Sequence, residues 1–429
     1  MSKDRVKVVE PIRRASGTVA LPGSKSISNR ALLLAATSRG DTTLRGLLDA
    51  DDTRMMIGAL RALGVDVTAS GDDTVVRGCG GKFPNAEAKL FLGNAGTAMR
   101  PLAAALAFAG GHYELDGVAR MRERPIGDLV DALNALGARV RYLGNAGYPP
   151  LAIEPAAPMG GDVVDIKGDV SSQFVSALLM AAPLIAPAGG LRIRVPGALI
   201  SQPYVSLTLR LMARFGVEVE RDGQMFRVMR ADYASPGTFI VEGDASGASY
   251  FLALGVIAGG PVRVTGVGKE SVQGDIAFAR VLEAAGGTIA WGDDWIEARG
   301  GGPLRAFDVD CTDIPDAAMT GAIVACFATG RSILRGIASW RVKETDRIVA
   351  MATELRKLGA VVEEGQDFLA VEGPVAWREA EIDTYDDHRI AMCFSLAAAS
   401  GTRVTIRDPD CVAKTFPDYF DRLATLDRS

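Results

Sequence analysis

Two kinds of hydrophobic run alternate along this chain. The first is apolar on nearly every helical face: RALLLAA, RPLAAALAFA, FVSALLMAA, SYFLALGVIA, MTGAIVACFA and RIAMCFSLAAA. A helix without a polar stripe must be buried all round. The second is amphipathic, as in IGALRALG, VDALNALG, TLRLMARFG, ARVLEAAGG and ATELRKLG, where the charges keep to one side. These runs predict helices with one face in solvent. Each meets a glycine, at Gly64, Gly137, Gly216, Gly286 and Gly359, and a β-branched strand follows. Glycine in that place is the left-handed stop of a helix. A sixth member of the series, near Tyr419 to Leu426, runs on without one.

The apolar helices open at small polar residues: Ser24, Asn94, Ser171, Asp244, Asp316 and Asp386. Six openings interleaved with the amphipathic series describe a repeat of strands, a buried helix and an exposed helix, three repeats to a domain. The competing arrangement is a doubly wound α/β fold with its helices outside the sheet, and the Ala-rich apolar helices argue against it. The boundary is expected near Val241 to Asp244, after the turn Ser235-Pro236-Gly237. The extended segment Val6 to Leu21 could pair with either half.

Composition narrows the class. At 429 residues and 48% hydrophobic, the chain exceeds what one core holds, so two domains are the default. A formal net charge of −5 excludes a global basic field for nucleic acid. Any bound anion must be held by a local basic site. The five scattered cysteines, Cys79, Cys311, Cys326, Cys393 and Cys411, contain no C-x-x-C pair and read as reduced thiols of a cytoplasmic protein. With only His112 and His388, a zinc site is not expected. The stretch Met1 to Arg14 is charged and lacks the apolar segment of a secretion signal. The most apolar stretch, Ser176 to Gly190, is interrupted by Pro183 and Pro187 and is too short to span a membrane.

The candidate chemistry collects at the helix openings. Ser24, Lys25, Ser26, Ser28 and Arg30 surround the first, and free N–H groups with two cations suit an anion. The second, GNAGTAMRP, offers Asn94 and Thr97 beside Gly96, which permits close backbone approach. Arg122 and Arg124 precede Pro125 as a potential carboxylate or phosphate clamp. Ser171, Ser172 and Gln173 offer uncharged donors and acceptors for hydroxyls and phosphate oxygens. In WRVKETDRI, Lys343 and Asp346 have helical pair spacing, but Lys343 and Arg347 are like charges four apart, a repulsion that a shared anionic ligand would relieve. His388 reads as a structural histidine beside Arg389. Each motif alone is explained by a helix cap or by solvated charges. Their sum points to a site lined by about six to eight cations, where exclusion of water strengthens each one.

Taken together, LPGSKSISNRALLLAA, GNAGTAMRP, RERPIG, VSSQF, IPDAAM, WRVKETDR, DHRIAM and AKTFPDYF make the chain resemble the 5-enolpyruvylshikimate-3-phosphate synthase family over essentially its whole length. The resemblance implies an α/β fold: a two-domain inside-out α/β barrel of six βαβαββ repeats, three per domain. One domain would comprise residues 24–241 and the other residues 1–23 plus 242–429, with the active site in the interdomain cleft. The implied reaction transfers the enolpyruvyl group of phosphoenolpyruvate to the 5-hydroxyl of shikimate 3-phosphate and releases phosphate. This is a step of the shikimate pathway to chorismate and the aromatic amino acids.

Carried over motif by motif, the shikimate 3-phosphate site comprises Lys25, Ser26, Arg30, Ser171, Ser172, Gln173, Ser201, Tyr204, Asp316, Ser339 and Lys343. Ser339 departs from the Asn common in the family, and its shorter side chain would reach phosphate through water. Phosphoenolpyruvate would meet Lys25, Asn94, Gly96, Thr97, Arg124, Gln173, Arg347, Arg389 and Lys414. Asp316 would take the hydroxyl proton, Glu344 would protonate the methylene carbon and Lys25 would assist. For Glu344 to act as an acid, burial would have to raise its pKa against the nearby cations. The resemblance implies no metal, no organic cofactor and a monomer, and it makes glyphosate an expected inhibitor, competitive with phosphoenolpyruvate. Two rivals differ from this reading. An enolpyruvyl transferase acting on UDP-N-acetylglucosamine would carry a reactive cysteine in the loop matching Gly117 to Arg124, which has none. A non-catalytic anion-binding repeat protein would not need both Asp316 and Glu344.

Overall fold

The computed structural model describes residues 5–159 and 161–428; residues 1–4 of the charged N-terminal stretch lie outside the described residues. The chain divides into two compact units, residues 23–241 on one hand and residues 1–22 with 242–429 on the other. The break falls between Pro22 and Gly23, one residue before the boundary expected from sequence.

Each unit is built around three inner helices. In the unit of residues 23–241 they are Lys25–Thr37, Gly96–Leu106 and Ser172–Ile185. In the other unit they are Ala245–Ile257, Ala318–Phe327 and His388–Ser395. These are the fully apolar runs, and they are buried nearly end to end. Ser26 is the only residue of the first helix that is not buried, and all eight residues of the last one are. Pro183 lies inside its helix rather than ending it. Small side chains let the inner helices pack directly on one another, first on second and second on third.

The sheets repeat one plan. A short edge strand lies parallel to a central strand, and an antiparallel hairpin completes the set. Examples are Glu87–Phe91 beside His112–Asp116 with Leu151–Glu154 and Arg139–Tyr142, and Val163–Asp165 beside Leu191–Arg194 with Met225–Val228 and Val219–Asp222. The first sheet of each unit borrows its edge strand from elsewhere in the chain. Asp41–Arg45 takes Thr238–Ile240, whereas Ala15–Ala20, which leads into the first inner helix, pairs with Gly259–Thr265 in the other unit. The last sheet has three strands, and its antiparallel member is the N-terminal strand Val6–Val9 against Val404–Arg407. Both halves of the Val6 to Leu21 segment thus pair in the same unit.

The amphipathic runs form outer helices, among them Asp51–Ala62, Gly127–Ala135, Gln202–Arg214 and Arg347–Lys357. All five glycine stops adopt positive φ, between +82° at Gly216 and +107° at Gly286. The sixth helix, Tyr419–Ala424, is shorter than its sequence run. Among the described residues no helix is long and apolar enough to cross a membrane.

Glycine is required at Gly359 for two reasons. Its φ is +98°, and an added Cβ would lie 2.5 Å from the Ala376 carbonyl oxygen. Gly223 has φ +58° with nothing within 4 Å. Gly223→Ala is therefore expected to cost about 1 kcal/mol, and Gly359→Ala about 3 kcal/mol or more. Urea midpoints of the two variants check the difference.

Candidate anion site

In the unit of residues 23–241 the site is built on the first turns of inner helices. Ser24 caps Lys25–Thr37 through its side chain, as its position predicts. Lys25 is buried, with Nζ 3.6 Å from Asp52 Oδ2. Arg30 is buried with no carboxylate among its hydrogen-bond partners: Nε donates to Thr208 Oγ1 at 2.8 Å and Nη1 to the Ser26 carbonyl at 2.9 Å. Burial pulls the Arg30 guanidinium down to about 10, and the nearby Tyr204 phenol offsets this only in part. A buried cation held by neutral oxygens is a place where an anion gains most.

The second opening joins the first through Asn29, whose Nδ2 donates to Thr97 Oγ1 at 2.7 Å. Asn94 does not cap the helix, which starts at Gly96 behind Ala95. Its Oδ1 and its carbonyl instead accept from Arg124 Nη1, both at 2.9 Å. A Cβ on Gly96 would stand 2.6 Å from Arg100 Nη1 and 2.8 Å from Arg124 Nη2. Both arginines are buried, and Arg100 Nη2 donates to the Pro125 carbonyl. Ser171 caps Ser172–Ile185 by accepting from the Gln173 N–H. Ser172 is buried, and Gln173 is half-buried beside it. Ser201 and Tyr204 lie at the start of Gln202–Arg214. Ser201 holds φ +52°, a conformation that non-glycine residues keep only where the surroundings enforce it.

In the other unit, Arg347 gathers three carboxylates while only 1% exposed. Its Nε donates to Asp387 Oδ2 at 2.7 Å, Nη1 to Asp316 Oδ1 at 3.0 Å and Nη2 to Glu344 Oε2 at 2.9 Å. Burial opposes the charge, but Asp387, Glu344 and Asp316 together outweigh it and hold Arg347 above its usual range. Asp316 Oδ2 accepts from Arg389 Nη2 at 2.9 Å, and Lys343 Nζ lies 3.8 Å from Oδ1. Arg389 Nη1 donates to the Tyr250 hydroxyl at 3.2 Å. Buried Trp340 donates from its indole N–H to the Pro315 carbonyl at 2.7 Å, which fixes the Ser339–Lys343 stretch beside Asp316. Ser339 is half-buried in that stretch, and Lys414 is buried at the end of the short helix Pro409–Lys414.

Several expectations are corrected by this geometry. Lys343 and Asp346 do not pair. Asp346 caps Arg347–Lys357 and accepts from Arg341 at 2.9 Å. Helix begins only at Arg347, so Lys343 and Arg347 are not successive turns of one helix, and the anion that Lys343, Arg347 and Arg389 share is Asp316 of the chain itself. Asp316 is not a cap, because its helix starts behind Ala317. The last opening belongs to Asp387 rather than Asp386. His388 is fully buried, with Nδ1 3.6 Å from Asp387 Oδ1. Arg122 is an exposed partner of Asp116. Asn29, Arg100, Tyr250 and Asp387 were not singled out from sequence. Their residue types were visible, but Thr97 beside Asn29, Arg389 beside Tyr250 and Arg347 beside Asp387 lie on other repeats.

Residues 9–423 match the family described as EPSP synthase (3-phosphoshikimate 1-carboxyvinyltransferase). The chain belongs to that family. A protein of Cupriavidus necator named 3-phosphoshikimate 1-carboxyvinyltransferase is 59% identical over 423 residues, covering 96% of this chain and 98% of its own. One of Burkholderia vietnamiensis with the same name is 59% identical over 424 residues, covering 97% and 98%. A solved EPSP synthase from Acinetobacter baumannii superposes with a TM-score of 0.80 at 26% identity, covering 98% of each chain. Such likeness over the full length makes the two-unit α/β architecture that of the EPSP synthase family.

Arg30 and Arg347, both buried, should respond oppositely to loss of charge. Arg30→Met removes an uncompensated cation, so its melting temperature should stay within a few degrees of wild type while the rise caused by inorganic phosphate is lost. Arg347→Met removes the cation that Asp316, Glu344 and Asp387 share and should cost about 3–5 kcal/mol at neutral pH. Loss of a buried cation favours the protonated form of the acids it held. The variant should therefore be more stable at pH 5 than at pH 7.5, losing stability as pH rises through that window. Urea titrations at both pH values test this.

Proposed function

We propose that the chain transfers the enolpyruvyl group of phosphoenolpyruvate to the 5-hydroxyl of shikimate 3-phosphate and releases phosphate. Membership of the EPSP synthase family carries this reading. The local chemistry supports it, because each unit holds buried cations at helix starts, as two multiply charged substrates require. The two residue sets act on one pair of substrates. Lys25, Ser26, Arg30, Ser171, Ser172, Gln173, Ser201, Tyr204, Ser339 and Lys343 bind shikimate 3-phosphate. Lys25, Asn94, Gly96, Thr97, Arg124, Gln173, Arg347, Arg389 and Lys414 bind phosphoenolpyruvate.

Asp316 accepts the proton of the 5-hydroxyl as its oxygen attacks the central carbon of phosphoenolpyruvate. Two arginine contacts support the ionised carboxylate that a base must be. Glu344 delivers a proton to the methylene carbon. Its contact with Arg347 favours the carboxylate, so its acid role requires that contact to weaken when anionic substrate engages Arg347. The tetrahedral intermediate then breaks its carbon–oxygen bond to phosphate, returns a methyl proton to Glu344 to form the enol ether, and the proton taken by Asp316 leaves with the phosphate. Arginines stabilise the departing phosphate. The protein acts as a cytoplasmic monomer without a cofactor, a location that its five free thiols support.

Purified protein should release phosphate only when both substrates are present. Asp316→Asn and Glu344→Gln should each lower kcat by about a hundredfold or more. Phosphate release that does not depend on shikimate 3-phosphate would remove this assignment. Glyphosate should compete with phosphoenolpyruvate. Because a methyl at Gly96 meets both Arg100 and Arg124, Gly96→Ala should raise the glyphosate inhibition constant and the phosphoenolpyruvate KM by about ten- to a hundredfold. Inhibition assays at several phosphoenolpyruvate concentrations read both.

A further inference from the structure

Two consecutive non-glycine residues, Tyr385 and Asp386, hold left-handed conformations at φ +55° and +56°. Such a pair persists only where its surroundings hold it. The turn closes with the Asp387 N–H on the Thr384 carbonyl at 2.8 Å. Fully buried Asp387 then grips Arg347 through Nε at 2.7 Å and Nη2 at 3.3 Å, and accepts the Arg389 N–H at 2.9 Å. The conformation of this turn therefore sets the residue that holds the Arg347 guanidinium and the Arg389 backbone.

What pins the turn is Glu354, about two helical turns along Arg347–Lys357 from Arg347. Its carboxylate is fully buried. Oε1 accepts the Tyr385 hydroxyl at 2.6 Å, and Oε2 accepts the Asp383 N–H at 3.1 Å. Lys357 Nζ lies 2.7 Å from Oε2 and donates to Asp383 Oδ2 at 2.8 Å, which offsets the buried charge. Burial, and then the Glu354 carboxylate, push the Tyr385 phenol up, so it remains a donor at neutral pH. Helix and turn are thus stapled at two places, Arg347 to Asp387 and Glu354 to Tyr385 and Asp383.

We infer that Glu354 and Tyr385 are positioning residues for the anion site: they clamp the left-handed turn to the helix that carries Arg347, and the turn sets Asp387 against Arg347 and Arg389. The inference rests on the reading above, in which those two arginines bind phosphoenolpyruvate. Glu354 and Tyr385 act through Asp387 rather than on substrate. Their loss should weaken phosphoenolpyruvate binding and leave the chemistry of Asp316 and Glu344 in place.

Steady-state kinetics of Tyr385→Phe, Glu354→Ala, the double variant and Glu354→Gln test this. Tyr385→Phe and Glu354→Ala should each raise the phosphoenolpyruvate KM about tenfold, with kcat within about threefold of wild type. The double variant should be no worse than Glu354→Ala alone, since both break one contact. Glu354→Gln, which keeps an acceptor oxygen, should recover most of the loss. An unchanged KM in Tyr385→Phe, additive losses in the double variant, or a fall in kcat alone would overturn the inference. If Glu354→Ala does not fold, Tyr385→Phe, one oxygen smaller, decides together with Glu354→Gln. A wild-type protein without turnover would refute the functional reading instead. The clamp is then read from thermal-shift titrations of the same variants with phosphoenolpyruvate: loss of the shift in Tyr385→Phe supports it and retention overturns it.

Discussion

One buried guanidinium organises the unit formed by residues 1–22 and 242–429. Arg347 bonds to the loop before one inner helix through Asp316, to its own turn through Glu344 and to the start of another inner helix through Asp387. Three carboxylates around a single cation leave an excess of negative charge in a place with little water. Arg389 and Lys343, which both approach Asp316, bring the local charge back towards balance. The cluster holds together as a set, because Arg347 is shared by all three acids. That interdependence keeps the three carboxylates in fixed positions.

The other unit solves the opposite problem. Its inner helices begin with Ser24 and Lys25, with Ala95 and Gly96, and with Ser171 and Ser172, whereas the inner helices of its counterpart begin at Asp244, Ala317 and Asp387, with Asp316 just ahead of Ala317. A helix N-terminus favours negative charge. In the acidic unit that preference is met by side chains of the chain itself. In the other unit, Arg30 is hydrogen-bonded to neutral oxygens. One repeated architecture thus yields one half whose inner-helix starts carry acids and one half whose inner-helix starts carry hydroxyls and cations.

Much of this was legible from local pattern. Helices apolar on every face are buried, and the five glycines after amphipathic runs all adopt positive φ, because both features depend on a few neighbouring residues. Ser24, Ser171 and Asp244 cap as their positions predict. The failures share a cause. Asn94 and Asp316 have the chemistry of caps but are drawn to Arg124 and Arg347, which lie elsewhere in the sequence. The pairing expected between Lys343 and Asp346 assumed a helix that starts later. Nothing near Tyr385 announces a left-handed turn either, because no glycine is present and its support comes from Glu354, on another element. Long-range contacts leave no periodicity to read.

The exchanged edge strands also bear on the order in which the chain is made. Thr238–Ile240 completes its sheet with Asp41–Arg45, so residues 23–241 hold every strand they need once that stretch has been synthesised. The earliest residues are in a different position. Ala15–Ala20 must wait for Gly259–Thr265, and Val6–Val9 for Val404–Arg407. This early segment is thus among the last to find its place. Through much of translation it is an unpaired strand tethered to a folded unit, the kind of exposed edge that chaperones shield and that aggregation exploits. The exposed charges at Arg5 and Lys7, set among its valines, are suited to keeping that waiting strand from pairing with the wrong partner.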